Sequence, residues 1–489
     1  MARAIVIGTG FGGLAAAVRL QAKGYETTVL EALPDAGGRG RVFHRDGFIF
    51  DAGPTVITAP YLFDELFSLA GKRKEDYFQL LPIDPFYRIE YSDGSRFDYV
   101  GEEDALLENI RKISPGDVEG YRKLSEHARR IFEIGYLQLA DAPFESLAEM
   151  FRVVPDLVRL KNFKTVYGLV ADYIKDERLR QAFTFQPLLV GGNPFDVTSI
   201  YLLIHTLEKK WGVHFAKGGT GAIVSGLTKL LGEMGAQIRY STPVERLEIR
   251  NGRVTGVITA QGERIASDIV VSNADPMVVY NKMLDGKFRW KNSNLVLKTK
   301  RPSMGLFVIY FGTNKTYPDL THHTIILGPR YRGLLNDIFH KKILAEDFSL
   351  YLHAPTRTDS TLAPPGHEGF YVLSPVPNNL SGIDWDKEGP AYCEKILNFL
   401  DQTHLPGLKK HLVTQFYVTP DYFEKDLRSY AGAGFGIEPI FRQSAWFRFH
   451  NRSEDVPGLY FVGASTHPGA GVPGVLCSAK VLDRVVANP

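Results

Sequence analysis

A glycine-rich turn close to the amino terminus constrains the fold of this chain more than any other feature. Gly8, Gly10 and Gly13 follow the strand-like run 5–7 and open the helix-like run 14–23. This G-x-G-x-x-G spacing allows a tight turn, a close approach of the backbone to a pyrophosphate, and close packing of the helix on the sheet. The first turn of the helix also offers unpaired N–H groups to phosphates. The sequence therefore predicts a β-α-β unit that binds a dinucleotide.

An acidic residue stands where such a unit contacts a ribose. Glu31 comes directly after the second predicted strand, residues 27–30. A carboxylate at this place accepts hydrogen bonds from both ribose hydroxyls and repels a 2′-phosphate. The alternative is a glycine-rich turn with nothing bound, and the strand, helix and acid together argue against it.

Further glycine loops favour FAD over NAD. Gly38 and Arg39 lie a few residues after Glu31, and an arginine behind a double glycine can pair bidentately with a pyrophosphate. Gly53 follows shortly afterwards. Near the other end of the chain, Gly463 and the loop Gly471-Val472-Pro473-Gly474 form a second close-approach turn that leads into a helix. A cofactor bound by both ends of the chain suits a long dinucleotide such as FAD, although Gly37-Gly38 alone could equally be a solvent-exposed turn.

A separate nicotinamide site is not predicted. Gly432, Gly434 and Gly436 have G-x-G-x-G spacing, but no apolar strand precedes them, and a loop near a ligand is the favoured interpretation. Without a nicotinamide domain, electrons would leave the flavin for oxygen or a quinone.

Composition excludes several classes of protein. The 489 residues suggest two or three domains, and 44% apolar with 23% charged residues is typical of a globular protein. Lys and Arg number 57 against 55 Asp and Glu, which gives no net field for nucleic acid. Two cysteines exclude a disulfide framework and fit a reducing compartment. We expect a cytoplasmic protein that is not secreted, because a strand starts at residue 4, and one without a transmembrane helix.

The element pattern predicts an α/β fold. We expect a Rossmann-like FAD-binding domain assembled from the discontinuous segments 1–100, 212–290 and 430–489, because strand and turn signals dominate there. Residues 101–211 have helical periodicity and are predicted to form a substrate and membrane-docking region. Residues 291–429 are predicted to form a mixed α/β substrate domain, so that sheet and helices together enclose the substrate.

Longer stretches resemble the bacterial and fungal-type phytoene desaturases of the flavin-containing amine oxidoreductase superfamily. The similarity runs nearly from end to end, and the most specific stretch is 459–478. The segments that carry the resemblance are Val6–Gly13, Phe50–Thr55, Val190–Pro194, Gly218–Gly221, Ser272–Asp275, Gly328–Tyr331, Gln443–Trp446 and Leu459–Ser478.

The resemblance implies an FAD-dependent oxidoreductase acting on CH–CH groups. Its substrate would be a C40 polyene drawn from a membrane, and phytoene would be desaturated stepwise via zeta-carotene and neurosporene towards lycopene. Val244 would face the adenine, and Arg39 with the loop 471–474 would hold the pyrophosphate. The residues that would flank the flavin are Gly219, Thr220, Gly221 and Gly463.

Desaturation needs a proton acceptor as well as a hydride acceptor. Asp275 is one candidate, since it follows a strand expected to end near the cofactor, but Asp275-Pro276 also fits a helix N-cap with proline at the first helical position. Glu149 matches the place where the resembling family has an acidic residue, and a solvated helix face is its alternative. No metal site is predicted, and His322-His323 is interpreted as a polar turn in which the two side chains face opposite ways.

A hydrocarbon substrate implies contact with a lipid surface. Residues 151–164 mix apolar and basic side chains, as an anionic membrane interface favours. This stretch and the apolar segment 181–207, which Pro187 and Gly191 interrupt, are predicted to form the mouth of a tunnel. An ordinary helix of the substrate domain is the alternative for 151–164. The predicted partners are phytoene and later carotenes, and a homo-oligomer stays among the alternatives.

Two other functions fit the same motifs. One keeps the fold and changes the substrate, giving an amine oxidase, a carotenoid isomerase or an oxygenase. The other is a prenyl-lipid carrier that has lost its flavin, and the complete set of glycine and acidic motifs argues against it.

Overall fold

The computed structural model describes residues 1–489, with the exception of the side chain of Leu147. The strands, in chain order, are β1 (Arg3–Ile7), β2 (Glu26–Leu30), β3 (Val42–Arg45), β4 (Phe48–Asp51), β5 (Leu80–Pro82), β6 (Tyr87–Glu90), β7 (Arg96–Tyr99), β8 (His214–Ala216), β9 (Gln237–Arg239), β10 (Val244–Arg250), β11 (Arg253–Thr259), β12 (Arg264–Ala266), β13 (Ile269–Ser272), β14 (Gly305–Thr313), β15 (His323–Ile326), β16 (Leu350–His353), β17 (Glu368–Val376), β18 (Leu412–Val418) and β19 (Leu459–Phe461).

The helices lie between and beside these strands. In chain order they are α1 (Phe11–Lys23), α2 (Tyr61–Ser68), α3 (Glu103–Ile113), α4 (Val118–Gly135), α5 (Leu147–Arg159), α6 (Val166–Ala171), α7 (Glu177–Ala182), α8 (Leu203–Trp211), α9 (Thr220–Glu233), α10 (Pro276–Val278), α11 (Asn294–Lys298), α12 (Tyr331–Asn336), α13 (Trp385–Gln402), α14 (Leu408–His411), α15 (Pro420–Lys425) and α16 (Val472–Val485).

A parallel five-stranded sheet, in the order β19-β13-β1-β2-β9, contains the glycine-rich turn. Its strands come from distant parts of the chain, as the predicted discontinuous domain requires. Val6 pairs with Val29 on one side and Val271 on the other, and all three side chains are buried. Helices α9 and α16 pack on α1. Continuous apolar strands of this kind are typical of a parallel sheet covered on both faces.

A seven-stranded sheet, in the order β18-β14-β17-β16-β15-β6-β7, forms the second layer of the molecule. Its central strand β14 is buried along its whole length. Alternate residues serve different cores: Phe307 and Ile309 pack with helix α13, whereas Val308 and Tyr310 belong to the core on the opposite face. The sheet therefore separates a helix-covered side from a side that faces the substrate region.

The hairpin β6–β7 belongs to the seven-stranded sheet. The predicted segment 1–100 assigned these residues to the FAD-binding domain. In the structure β6 runs parallel to β15, with Thr324 opposite Arg88 and Ile325 opposite Ile89. The hairpin signal in the sequence is local, whereas the partner strand lies more than two hundred residues away. The division of the chain into domains stays a prediction. The pairing of β6 with β15 argues against placing residues 87–99 in the FAD-binding domain.

Helices α3 to α8 occupy most of residues 103–211, and α4 packs on α8. The apolar segment 181–207 is broken as expected: it contains the end of α7, short helical turns, Gly191 with a φ of +79°, and the start of α8. Across the described residues, no helix combines the length and the apolar character needed to cross a bilayer.

Candidate functional site

The glycine-rich turn has the geometry that its spacing predicts. Gly8 has a φ of +91°, a conformation that side chains disfavour. A Cβ atom at Gly13 would lie 2.0 Å from the carbonyl oxygen of Gly8, and one at Gly10 would lie 2.7 Å from Nδ2 of Asn273. Gly10 precedes α1, and within the described chain no side chain caps the N–H groups of that helix. The turn thus leaves donors free for an anion.

Glu31 is buried and held by backbone donors at the end of β2. Its Oε2 accepts the N–H of Thr9 at 2.8 Å, and its Oε1 accepts the N–H of Leu33 at 2.9 Å. The hydroxyl of Thr9 also donates to Oε2 and accepts the N–H of Gly37 at 3.1 Å. One carboxylate therefore fixes both the phosphate turn and the double-glycine loop, with acceptor capacity remaining for a ribose.

Arg39 lies between the two ends of the chain. Its Nη2 donates to Oγ of Ser429 at 2.8 Å and to the carbonyl oxygen of Ala433 at 3.2 Å. Its buried Nε has no hydrogen-bond partner among the residues that the structure describes. Burial lowers the pKa of Arg39, and the nearby Asp275 carboxylate opposes that effect. A buried guanidinium with a free N–H suits an anionic pyrophosphate.

One cavity of about 1290 Å³ runs from the glycine loops into the apolar interior. The predicted cofactor residues that line it are Gly8, Gly10, Glu31, Gly38, Arg39, Gly53, Val244, Gly463, Gly471, Val472 and Pro473. The remaining four predicted residues lie just behind the wall: Gly13 packs on Gly8, Gly219 directly precedes α9, and Thr220 and Gly221 are the first residues of α9. Direct contact between residues 219–221 and a flavin stays a prediction.

Apolar and aromatic side chains line the rest of the cavity. They come from the irregular segment before α8, from α8 itself, from the face of the seven-stranded sheet that is opposite to α13, and from the glycine loop 432–436. They include Phe185, Leu188, Ile200, Leu203, Leu207, Leu306, Val308, Tyr310, Ile325, Tyr351, Tyr371 and Phe435. A chamber of this chemistry excludes water and suits a hydrocarbon.

Comparison with known proteins decides the family. A family profile described as flavin containing amine oxidoreductase matches residues 11–481. The chain belongs to this family. It is 49% identical to a phytoene desaturase (lycopene-forming) of Pseudescherichia vulneris over 98% of both chains. It is 44% identical to a phytoene desaturase (neurosporene-forming) of Rhodobacter capsulatus, over 100% of this chain and 94% of that one.

Solved structures confirm the fold of this flavin oxidoreductase. An oxidoreductase from Methanosarcina mazei superposes with a TM-score of 0.64 at 18% identity, covering 98% of both chains. The predicted bacterial phytoene desaturase resemblance, the α/β FAD-binding fold, the oxidoreductase class and FAD as cofactor are all confirmed. The residues present fit FAD, because the free Arg39 Nε, the uncapped α1 and the buried Glu31 meet in one cavity.

The two predicted bases lie outside the lining of the cavity formed by the described residues. Asp275 accepts the N–H of Met277 at 3.0 Å and so serves as the N-cap of α10, ahead of Pro276. Glu149 accepts the N–H groups of Glu145 at 2.8 Å and Ser146 at 3.0 Å, which completes a capping box at the start of α5. Their roles as bases stay predictions, and the helix-capping alternative raised for Asp275 is observed.

Glu208 on α8 is an acid that the sequence analysis missed. It lines the cavity, and only 1% of its surface is exposed. The hydroxyl of Tyr87 donates to its Oε1 at 2.7 Å, whereas its Oε2 has no partner within the described chain. Burial raises the pKa of Glu208 to about 8, and the side chains of Tyr87 and Gln186 oppose the rise. The available signal was its place one turn after Ile204 on α8, directly after the apolar segment 181–207.

A second carboxylate on the wall is already engaged. Asp51 lines the cavity, and its Oδ1 accepts the N–H of Thr220 at 2.6 Å, at the start of α9. Burial raises the pKa of Asp51 to about 6. A Cβ at Gly219 would lie 2.6 Å from the same oxygen, so glycine there lets the helix approach this acid. Asp51 thus anchors α9, while Glu208 keeps a free oxygen.

Proposed function

We propose that this flavin oxidoreductase desaturates a C40 carotene, converting phytoene stepwise via zeta-carotene and neurosporene towards lycopene. The observation that carries the proposal is the single cavity, which joins the dinucleotide-binding loops to an apolar chamber. The names of the relatives support it, because one forms lycopene and another forms neurosporene.

Each desaturation breaks two C–H bonds on neighbouring carbons and forms one C=C bond. FAD, when bound, supplies the acceptor for a hydride. The chain must position the polyene, exclude water and accept a proton. Leu306, Val308 and Tyr310 from β14, with Leu203 and Leu207 from α8, provide the apolar walls that orient the chain.

We assign the role of proton acceptor to Glu208. A base must lie within hydrogen-bond reach of the reacting carbons, and the cavity lining includes this carboxylate. Its unpaired Oε2 can take the proton, while Tyr87 holds Oε1. Because burial raises the pKa of Glu208 to about 8, the carboxylate binds a proton more tightly than an exposed acid does. The fraction of carboxylate, and with it the rate, should rise as the pH approaches and passes 8.

Helix α5 supports docking on a lipid surface. Met150, Val153 and Leu157 line the cavity, whereas Phe151 and Val158 are 71% and 59% exposed. The exposed basic residues around them are Arg152, Arg159 and Lys161. A helix with one side in the cavity and an apolar, basic side in solvent suits entry of a substrate from an anionic membrane. We therefore propose a peripheral membrane protein of the cytoplasm, with a quinone or oxygen as electron acceptor.

The test is an anaerobic incubation of the FAD-loaded protein with phytoene in liposomes and a quinone, analysed by chromatography with absorbance detection. We expect coloured products, whose absorption maxima count the double bonds added. Protein depleted of FAD is the matched control and should leave phytoene unchanged. Unchanged phytoene beside a bound, reducible flavin would overturn the substrate while leaving family and cofactor in place.

A further inference from the structure

Three histidines meet on the cavity-facing side of the seven-stranded sheet. Strand pairing places Tyr310 opposite Tyr371, Tyr371 opposite His353, and His353 opposite His323, in one row across four strands. Directly opposed residues of antiparallel strands share a face. The row therefore runs from two tyrosines that line the cavity to a pair of histidines beside it.

His322 completes the group, contrary to the predicted polar turn. The rings of His322 and His323 are 4.4 Å apart, and both side chains are buried. The prediction was wrong because β15 starts at His323, so the pleat that sends neighbouring side chains to opposite faces does not extend to His322. The His322 ring also lies 4.8 Å from that of His353.

The hydrogen bonds of these histidines leave nitrogens unused. His322 Nδ1 pairs with Oγ1 of Thr358 at 2.6 Å, and His323 Nδ1 pairs with the hydroxyl of Tyr351 at 2.7 Å. In the described part of the chain, Nε2 of both residues and both ring nitrogens of His353 lack a partner. Unpaired buried polar nitrogens are costly, and such groups normally have a ligand or an ordered water.

The chemistry of the group suits a cation. One ring nitrogen of each histidine lies within 4.8 Å of one nitrogen of each of the others. An ion between them would draw each ring inward by less than about 1 Å to reach a Zn–N distance of about 2.0–2.1 Å. Burial lowers the pKa of His322 to about 3 and also lowers the pKa values of His323 and His353. Neutral imidazoles have a lone pair free for a metal.

We propose that His322, His323 and His353 bind one first-row transition-metal dication of the Zn²⁺ type. In metal sites a ligating imidazole typically pairs its other nitrogen with an oriented polar group. Thr358 and Tyr351 occupy those places. Three imidazoles leave a fourth position for water or hydroxide. The ion would join β15 to β16 and fix the Tyr351 hydroxyl in the cavity wall, a structural role that needs no redox chemistry and does not depend on the substrate.

The test uses the full-length, FAD-loaded protein, stripped with a chelator and titrated with Zn²⁺ alone. After gel filtration, elemental analysis should find one zinc per chain, and zinc-edge X-ray absorption should show three nitrogen ligands at about 2.0 Å. Wild-type protein that retains no zinc would overturn the proposal, whatever the variants do.

Two variants separate ligation from packing. His353→Gln removes a ligand and should weaken zinc binding by roughly 100-fold or more. Thr358→Val removes only the partner that orients His322 and should weaken zinc binding by about 10–100-fold. His205→Gln is the matched control, because His205 is equally buried but both its nitrogens are hydrogen bonded, to Tyr99 and Tyr121. Zinc should raise the melting temperature of the wild type and of His205→Gln, but not that of His353→Gln. Equal zinc binding by all four proteins would contradict the assignment.

Discussion

The two ends of the cavity are built in different ways. At the dinucleotide end, backbone N–H groups and glycines from short motifs make the contacts, and a single carboxylate, Glu31, fixes two loops. At the apolar end, side chains from β14, β16, β17 and α8 meet because distant segments pair and pack. Local sequence spacing therefore determines the dinucleotide end, whereas the apolar end depends on strand register. Substitutions at the two ends should have separable effects.

The largest effect on FAD binding is expected at Glu31. Glu31→Arg replaces a buried acceptor with a cation and removes the contacts to the N–H groups of Thr9 and Leu33. FAD affinity should fall by roughly 100-fold or more, because the substitution leaves these N–H donors unpaired in a buried site and puts a cation beside them. Flavin absorbance after gel filtration measures the loss.

Two further variants control for misfolding. Glu26→Arg changes an exposed acid on the same strand and should retain FAD. Glu31→Gln keeps an acceptor oxygen and should bind FAD with intermediate affinity. Undiminished FAD occupancy in Glu31→Arg would contradict the place of Glu31 in the dinucleotide site.

At Glu208 we expect a loss of turnover without a loss of FAD. Glu208→Gln removes the proton acceptor but keeps the side-chain volume, so turnover should fall by about 10²–10⁴-fold, the usual contribution of a positioned base. FAD occupancy should stay unchanged, because the dinucleotide loops are elsewhere in the cavity. Single-turnover flavin reduction under anaerobic conditions measures the step. Asp275→Asn is the comparison variant. A larger loss of turnover in Asp275→Asn than in Glu208→Gln would identify Asp275 as the base.

A smaller effect, on membrane binding, is expected at helix α5. Reversing Arg152, Arg159 and Lys161 to glutamate should weaken binding to anionic liposomes by roughly 100-fold, because each basic residue near the surface contributes about 1 kcal/mol. Co-sedimentation measures it. Reversing Lys387, Lys409 and Lys410 is the control, since α13 packs on the opposite face of the seven-stranded sheet and α14 packs on α13. Liposome binding that is the same in both variants would remove α5 as the docking helix.

The smallest effect is a shift in pH dependence. Tyr87→Phe keeps the ring and removes the donor that stabilises the Glu208 carboxylate. The pKa of Glu208 should rise further, moving the ascending limb of kcat/KM from near pH 8 upward by about one unit and lowering activity at pH 7 about tenfold. Activity above the new limb should recover. A profile that does not move would show that another group controls the limb.

The dinucleotide end of the cavity could be predicted from the sequence, but the apolar end could not. Gly10 and Gly13 were predictable because their roles depend on the next few residues. Glu208 was not, because a charged residue on a helix is ordinarily solvated, and only distant segments such as α4 and Tyr87 of β6 bury this one. His323 and His353 are thirty residues apart, and only the pairing of β15 with β16 brings them together. The hairpin β6–β7 was recognised as a hairpin, but its partner strand could not be inferred from local pattern.

The order of strands in the five-stranded sheet also bears on how the protein is made. The glycine turn between β1 and α1 is synthesised long before the loop 463–474 and α16, which complete the same cavity. A chain emerges at about 5–20 residues per second, so the turn waits on the order of half a minute for its partners. The complete dinucleotide site can therefore form only after the loop 463–474 and α16 have been synthesised. Until β19 has been synthesised, the edge of β13 is unpaired and exposed to association with other chains.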